Sequence, residues 1–110
     1  MTSTTTFATG TVFDLTQQIE YSKDGIISKQ IVKNPAGNVT LFSFDKGQGL
    51  SEHTAPFDAL VQVIEGQAEI TVGGTPHLLE AGQIIIMPAN ISHAVYAAEQ
   101  FKMVLTMIKK

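Results

Sequence analysis

What most limits this chain is its punctuation. From Gly25 to Asn90 every apolar run is short, and glycine, proline or asparagine closes it before a helix could complete three turns. Ile26, Ile27, Ile31 and Val32 are followed by Asn34-Pro35-Ala36-Gly37-Asn38, a dense turn signal. Val39–Asp45 then alternates, with Leu41, Ser43 and Asp45 on one side and Phe42 and Phe44 on the other. Gly47-Gln48-Gly49 is a loop, and Ala59–Glu65 is an extended run that Gly66-Gln67 is expected to turn into Ala68–Val72. Gly73-Gly74 is a two-residue hairpin signal. Thr75–Leu79 returns, Glu80–Gln83 turns, Ile84–Met87 reads as a buried strand, and Pro88-Ala89-Asn90 breaks it. His93–Ala97 and Phe101–Ile108 finish the chain. Many short strands with such breaks make an all-β sandwich or barrel.

Only the beginning reads differently. Asp14 is placed to cap a short helix with Gln17 three residues on, and Leu15 and Ile19 share a face, so a short N-terminal helix ending by Asp24-Gly25 is expected. The polar Met1–Thr6 is expected to be a loose arm. It has no basic residue followed by an apolar run, so neither a signal nor a transit peptide is expected, and the default compartment is the cytoplasm. No apolar stretch is long enough to span a bilayer as a helix.

Composition removes several functions. A chain of 110 residues holds one domain, here 1–110, and 44% apolar against 15% charged residues describes a folded core. All seven basic residues are lysines and the formal charge is −3, which argues against nucleic acid as a partner. The absence of arginine weakens bidentate capture of phosphate or carboxylate. With no cysteine there is no disulfide, thiolate metal site or thiol nucleophile.

Two blocks carry a more specific pattern. Gly47 is followed by five residues and His53, then by Ala55, Ala59 and Gly66. Gly82 is followed by five residues and Pro88, then by Asn90, His93 and Ala97. The paired spacing resembles the two motifs of the cupin superfamily, of the small single-domain conserved-barrel type, over roughly residues 39–108, with an N-terminal arm and helix over 1–24. The resemblance implies a small jelly-roll β-barrel. It also implies where that family keeps its metal ligands, usually three histidines and a glutamate. Here the first and last positions are His53 and His93, whereas Ala55 stands at the second histidine and Ala59 at the glutamate. Asn90 replaces the second motif's glycine and Ala97 its asparagine.

On a strand, residues 53, 55 and 59 share a face if no bulge intervenes, with Val61 and Val63 continuing the interior and Leu60, Gln62 and Ile64 outside. His53 and His93 would then face each other across the barrel. Asp58 is one residue out of phase and makes a poor substitute ligand. Two imidazoles fall short of the three or four protein ligands such sites use. If His53 and His93 hold a divalent metal, zinc, nickel, iron or copper suits them better than calcium or magnesium. The alternative is two pocket histidines bonded to water, backbone or ligand. His77, after the hairpin, reads as a rim or surface residue.

The two alanines should leave apolar space beside the histidines. The last strand places Phe101, Met103, Leu105 and Met107 on one face, so His53, Ala55, Ala59, His93 and Met103 are the candidate pocket residues. Besides a structural or scaffold protein with no ligand, two functions stay open. One is a barrel binding a small apolar or aromatic molecule, as a binding module or with a histidine as general acid or base. The other is a metal-dependent enzyme of dioxygenase or isomerase type, its two-histidine site completed by water. A homodimer is expected, because small cupins often pair through sheet faces and exchanged strands, and outer residues such as Leu60 and Ile64 need cover.

Overall fold

The computed structural model describes residues 7–109; the arm expected over Met1–Thr6 lies outside them. Eight strands follow one another: β1 (Ile26–Asn34), β2 (Gly37–Phe44), β3 (Gly49–His53), β4 (Asp58–Val72), β5 (Thr75–Glu80), β6 (Ile84–Met87), β7 (His93–Tyr96) and β8 (Phe101–Ile108). All pair antiparallel, in an all-β jelly-roll barrel. The order β1-β2-β8-β4-β7-β3, with β5 and β6 also on β4, makes the long β4 the seam of two curled sheets. Its first half joins β8 and β6, and its second half joins β7 and β5.

The turn expected at Gly66-Gln67 is therefore absent. The strand runs straight through, and a register shift between Val63 and Glu65 does the work instead. That bulge reverses the alternation: Val61 and Val63 are buried before it, Ala68 and Ile70 after it. Gly66 sits at φ 77°, and a Cβ there would stand 2.0 Å from the Gln100 carbonyl oxygen. Only glycine lets β4 change sheets at this point.

The period-2 patterns hold, but Ile84–Met87 is not the buried strand expected, since Ile84 and Ile86 are exposed and only Met87 is buried. Phe44, Phe101, Met103, Val61, Val63, Ala68, Ile70 and Met87 pack inside, and Phe44 stacks on Phe101 with centroids 4.6 Å apart. Burying an aromatic pair of this kind is worth several kcal/mol, about 3–5 for truncating one ring to alanine. The opposite face of β2 and β8 is covered too. Leu41 and Val104 pack with Ile19 of the N-terminal segment, joined by Leu15, Ile27 and Ile64.

That covering segment is not the expected helix. It contains a single 3-10 turn, Leu15–Gln17, and Asp14 makes no side-chain cap. The reason is nonlocal. Lys102 Nζ donates to Thr16 O (2.6 Å), Lys29 Nζ to Gln18 O (2.5 Å) and Ser43 Oγ to Glu20 O (2.7 Å). Three alternate carbonyls are thus satisfied by barrel side chains, and a helix would withdraw them from that contact. Lys102 also meets Glu65 at 3.3 Å and lies 5.0 Å over the Tyr21 ring, whose hydroxyl donates to Glu65 (2.5 Å). Burial, and then the bond to Glu65, push the Tyr21 phenol well above its ordinary range.

Candidate functional site

The registers define one end of the barrel. On the larger sheet, Ala59 lies between Met87 of β6 and Met107 of β8, and Val61 lies between Ile85 and Leu105. On the smaller sheet, His53 of β3 is opposite His93 of β7, which is opposite Val72 of β4. The other end is filled by the Phe44–Phe101 stack.

The structure brings His53 and His93 together, but side by side on neighbouring strands rather than across the barrel. A register shift between Leu50 and His53 puts one extra residue into β3, and this aligns the two rings. Their centroids are 4.3 Å apart at 70°, and the two Nε2 atoms are separated by 3.1 Å. His93 is 6% exposed, whereas His53 is exposed on the rim.

Each ring turns its other nitrogen to the backbone. His53 Nδ1 lies 2.7 Å from Ser51 O, and His93 Nδ1 3.4 Å from Ile91 O. A carbonyl only accepts, so these contacts assign the proton of a neutral ring to Nδ1 and leave Nε2 as a lone pair. Two lone pairs 3.1 Å apart repel unless something positive lies between them, a proton or a metal ion. Burial, followed by the neighbouring His53, holds His93 below the ordinary imidazole range, and the Ile91 carbonyl opposes that shift.

The loops holding the pair are stitched together. Asn90 N–H donates to Ala55 O (2.8 Å), Ala89 N–H donates to Asp58 Oδ1 (2.9 Å), and Gly73 N–H donates to Ser92 O (2.8 Å). Asn90 has φ 64°, a left-handed conformation that asparagine tolerates where the family motif has glycine. Asp58 is exposed at the start of β4 and serves this loop contact. Ala55 is half-buried in the loop after β3, so it does not share a strand face with His53. Ala59 is buried at 4%, and Met103, at 1%, packs two rows deeper, opposite Val63 and Phe42. His77 is exposed on β5, opposite Ile70.

Among the described residues no three histidine, cysteine, aspartate or glutamate side chains cluster as metal ligands would. The two Nε2 atoms fit as a pair of donors to one transition ion, since two bonds of about 2.0–2.1 Å span more than their separation. They do not fit the family's four-ligand set. Neither imidazole lines any of five surface clefts of about 280–650 Å³. The pair runs from His53 at its exposed end to His93 at its buried end. On the inner face of the larger sheet, Phe42, Ile85, Leu105 and Met107 pack on the core while keeping partial exposure. Gln30, Asn38 and Thr40, which no sequence motif marks, share that inner face with Phe42. The β2 alternation, carried one step before Val39, would have placed the last two.

Comparison with known proteins agrees with this architecture. The cupin domain profile matches residues 40–109. A conserved protein of unknown function from Streptococcus pyogenes is 38% identical, with a TM-score of 0.92 over 100% of this chain and 96% of that one. A cupin 2 conserved barrel domain protein from Leptotrichia buccalis is 42% identical, with a TM-score of 0.85 over 88% of this chain and 47% of that one. A cupin superfamily protein from Desulfitobacterium hafniense shares the fold at 24% identity, with a TM-score of 0.87 over 94% of both chains. No curated protein matches. No helix among the described residues is long and apolar enough to cross a membrane.

Proposed function

The chain belongs to the cupin domain family, and we propose that it is a member that binds a small apolar or aromatic molecule at the barrel mouth, with His53 and His93 as the polar end of the site. One observation carries this reading. Two imidazole Nε2 atoms stand 3.1 Å apart on the rim, next to an inner face where Ala59 lies between Met87 and Met107. Apolar walls with a few placed polar groups are the usual makeup of a small-molecule site, and methionine adapts to varied shapes. The setting proposed is the cytoplasm. The test is an amide-resolved NMR titration with a panel of small aromatic compounds. Shifts confined to residues around 53, 59, 93 and 107, and weakened at least tenfold by His93→Ala, are expected. A panel that perturbs no residue of the mouth overturns the reading.

The facing lone pairs also favour a second reading, a metal-dependent enzyme of dioxygenase or isomerase type. His53 and His93 would hold a divalent ion with water completing its shell, and the ion would supply Lewis acidity. Elemental analysis separates the two readings. Stoichiometric zinc, nickel, iron or copper in protein purified without added metal, lost in the His53→Ala/His93→Ala variant, favours the enzyme.

We further propose a homodimer through the outer face of β4 and β6. The N-terminal segment covers the β1–β2–β8 part of that sheet, but Ile84 and Ile86 remain 56% and 61% exposed beside Leu60. Sedimentation should give a dimer for the native chain and a monomer for Ile86→Asp. A native monomer at all concentrations overturns the assignment.

A further inference from the structure

The larger sheet carries a second polar feature on its inner face, at the same end as the histidines. Directly opposed residues of an antiparallel pair share a face. Ser28 is opposite Phe42, Gln30 opposite Thr40 and Lys33 opposite Asn38, and the inner row continues from Asn38 to Met107 and Ala59. The inner wall therefore changes character across the sheet. It is apolar from Met87 through Ala59 to Met107, and then polar at Asn38 and Thr40 on β2 and Gln30 and Lys33 on β1. Gln30, Thr40 and Asn38 are half-buried, and Lys33 is exposed.

These polar groups are ordered in one direction. Gln30 Nε2 donates to Thr40 Oγ1 (3.0 Å) and to Val32 O (3.4 Å), and Thr40 Oγ1 donates onward to Asn38 Oδ1 (3.5 Å). This uses the threonine hydroxyl and the asparagine carbonyl within the chain. It leaves the Asn38 amide group, with two N–H donors, at the end of the relay, and no contact among the described residues engages it.

We propose that Asn38, oriented by Thr40 and Gln30 and assisted by Lys33, is an acceptor-reading pole of the ligand site. The ligand class is a small molecule with an apolar or aromatic body and a carboxylate or carbonyl oxygen at the end remote from the histidines. The body would lie along Ala59 and Met107, and its oxygen would accept from Asn38 Nδ2. This inference rests on the proposed small-molecule reading and specifies what that site selects. A few fixed polar groups in an apolar wall set orientation and specificity in such sites.

The test compares cinnamate with β-methylstyrene, which keeps the carbon frame and replaces the carboxylate by methyl. Both are titrated by NMR into the full chain, its Asn38→Leu variant and its Thr40→Val variant, with amide dispersion confirming each fold. Cinnamate should bind at least tenfold more tightly than the hydrocarbon and perturb residues around 38–42 and 105–107. Asn38→Leu should remove the preference, so that cinnamate and the hydrocarbon bind alike. Thr40→Val, which keeps the side-chain volume, should reduce the preference in the same direction. Equal binding of both probes, or a cinnamate preference that survives both variants, overturns the acceptor pole and leaves the apolar site standing. Binding of neither probe overturns both.

Discussion

His53 and His93 stand directly opposite each other on β3 and β7, with their Nε2 atoms 3.1 Å apart and each Nδ1 turned toward a backbone carbonyl two residues earlier. Two strands and a one-residue bulge create this pair, and its chemistry follows from what the nitrogens cannot do. Neither Nδ1 can accept from a carbonyl, so in neutral rings both Nε2 atoms offer lone pairs to the same small volume.

The first prediction concerns protons. His93 is held below the ordinary imidazole range by burial and then by His53. A group whose folded pKa is depressed binds fewer protons in the native state than in the unfolded one, so stability rises with pH through that interval. The contribution is fully present above the unfolded value, about 6.5, and is lost as pH falls through the folded value. In chelator-treated protein, Tm should fall on acidification from neutrality, and His93→Gln should flatten the decline. His53→Ala should move the His93 titration, followed by its ring proton shifts, back up toward the ordinary range. An unmoved titration would show that the two rings do not interact in solution.

The second prediction concerns the position beside the pair. Ala59 is 4% exposed and lies between Met87 and Met107. Ala59→Glu puts a carboxylate into that apolar row and should destabilise the chelated protein by about 3 kcal/mol, as an unpaired buried charge does. If the carboxylate reaches the two Nε2 atoms, the set becomes three protein ligands, enough for zinc. Zinc in hundredfold excess over its Kd should then return about 2.7 kcal/mol of stability, and adding His93→Ala should abolish the recovery. A Tm indifferent to zinc would place residue 59 out of reach of the imidazoles.

The strands were legible because alternation is a local property. Phe101, Met103, Leu105 and Met107 share the inner face of β8 as their spacing demands, and Leu41 and Phe44 separate onto two faces that are both buried. Three features escaped because distant residues decide them. Gly66-Gln67 has turn-forming composition, yet β7 and β8 pair with both sides of it and keep it extended. Asp14, Leu15 and Ile19 have helix spacing, yet Lys102, Lys29 and Ser43 claim the carbonyls of Thr16, Gln18 and Glu20. The motif spacing singled out His53 and His93, but parity along one strand could not reveal that a bulge in β3 sets them side by side.

Gly66 supplies the third prediction. A Cβ at φ 77° is strained for any other residue, and here it would also stand 2.0 Å from the Gln100 carbonyl. Gly66→Ala must shift the β8 backbone where Phe101 begins its stack on Phe44. The expected loss is roughly 2–4 kcal/mol. For a chain of this size that lowers Tm by about 10 °C or more, measured by circular dichroism. A change within about 0.5 kcal/mol, the usual range of neutral surface substitutions, would mean that β4 does not cross between sheets through this residue.

The last prediction separates charge from stem at Lys102. Its side chain is 9% exposed, and its ammonium meets Thr16 O, Glu65 and the Tyr21 ring while its stem lies on the outer face of β8. Lys102→Met keeps most of the apolar stem and removes the charge. If the ammonium fastens the N-terminal segment, Lys102→Met should cost about 1.5–3 kcal/mol, the range for hydrogen bonds to charged groups. Hydrogen exchange should then quicken over residues 15–21, while the amides of β4 and β8 stay protected to the extent global stability allows. Tyr21→Phe removes only the hydroxyl donated to Glu65 and should have a smaller effect in the same segment. The stem alone would account for the contact if Lys102→Met were neutral and Lys102→Ala were destabilising, because a lysine stem can cover apolar surface without its charge.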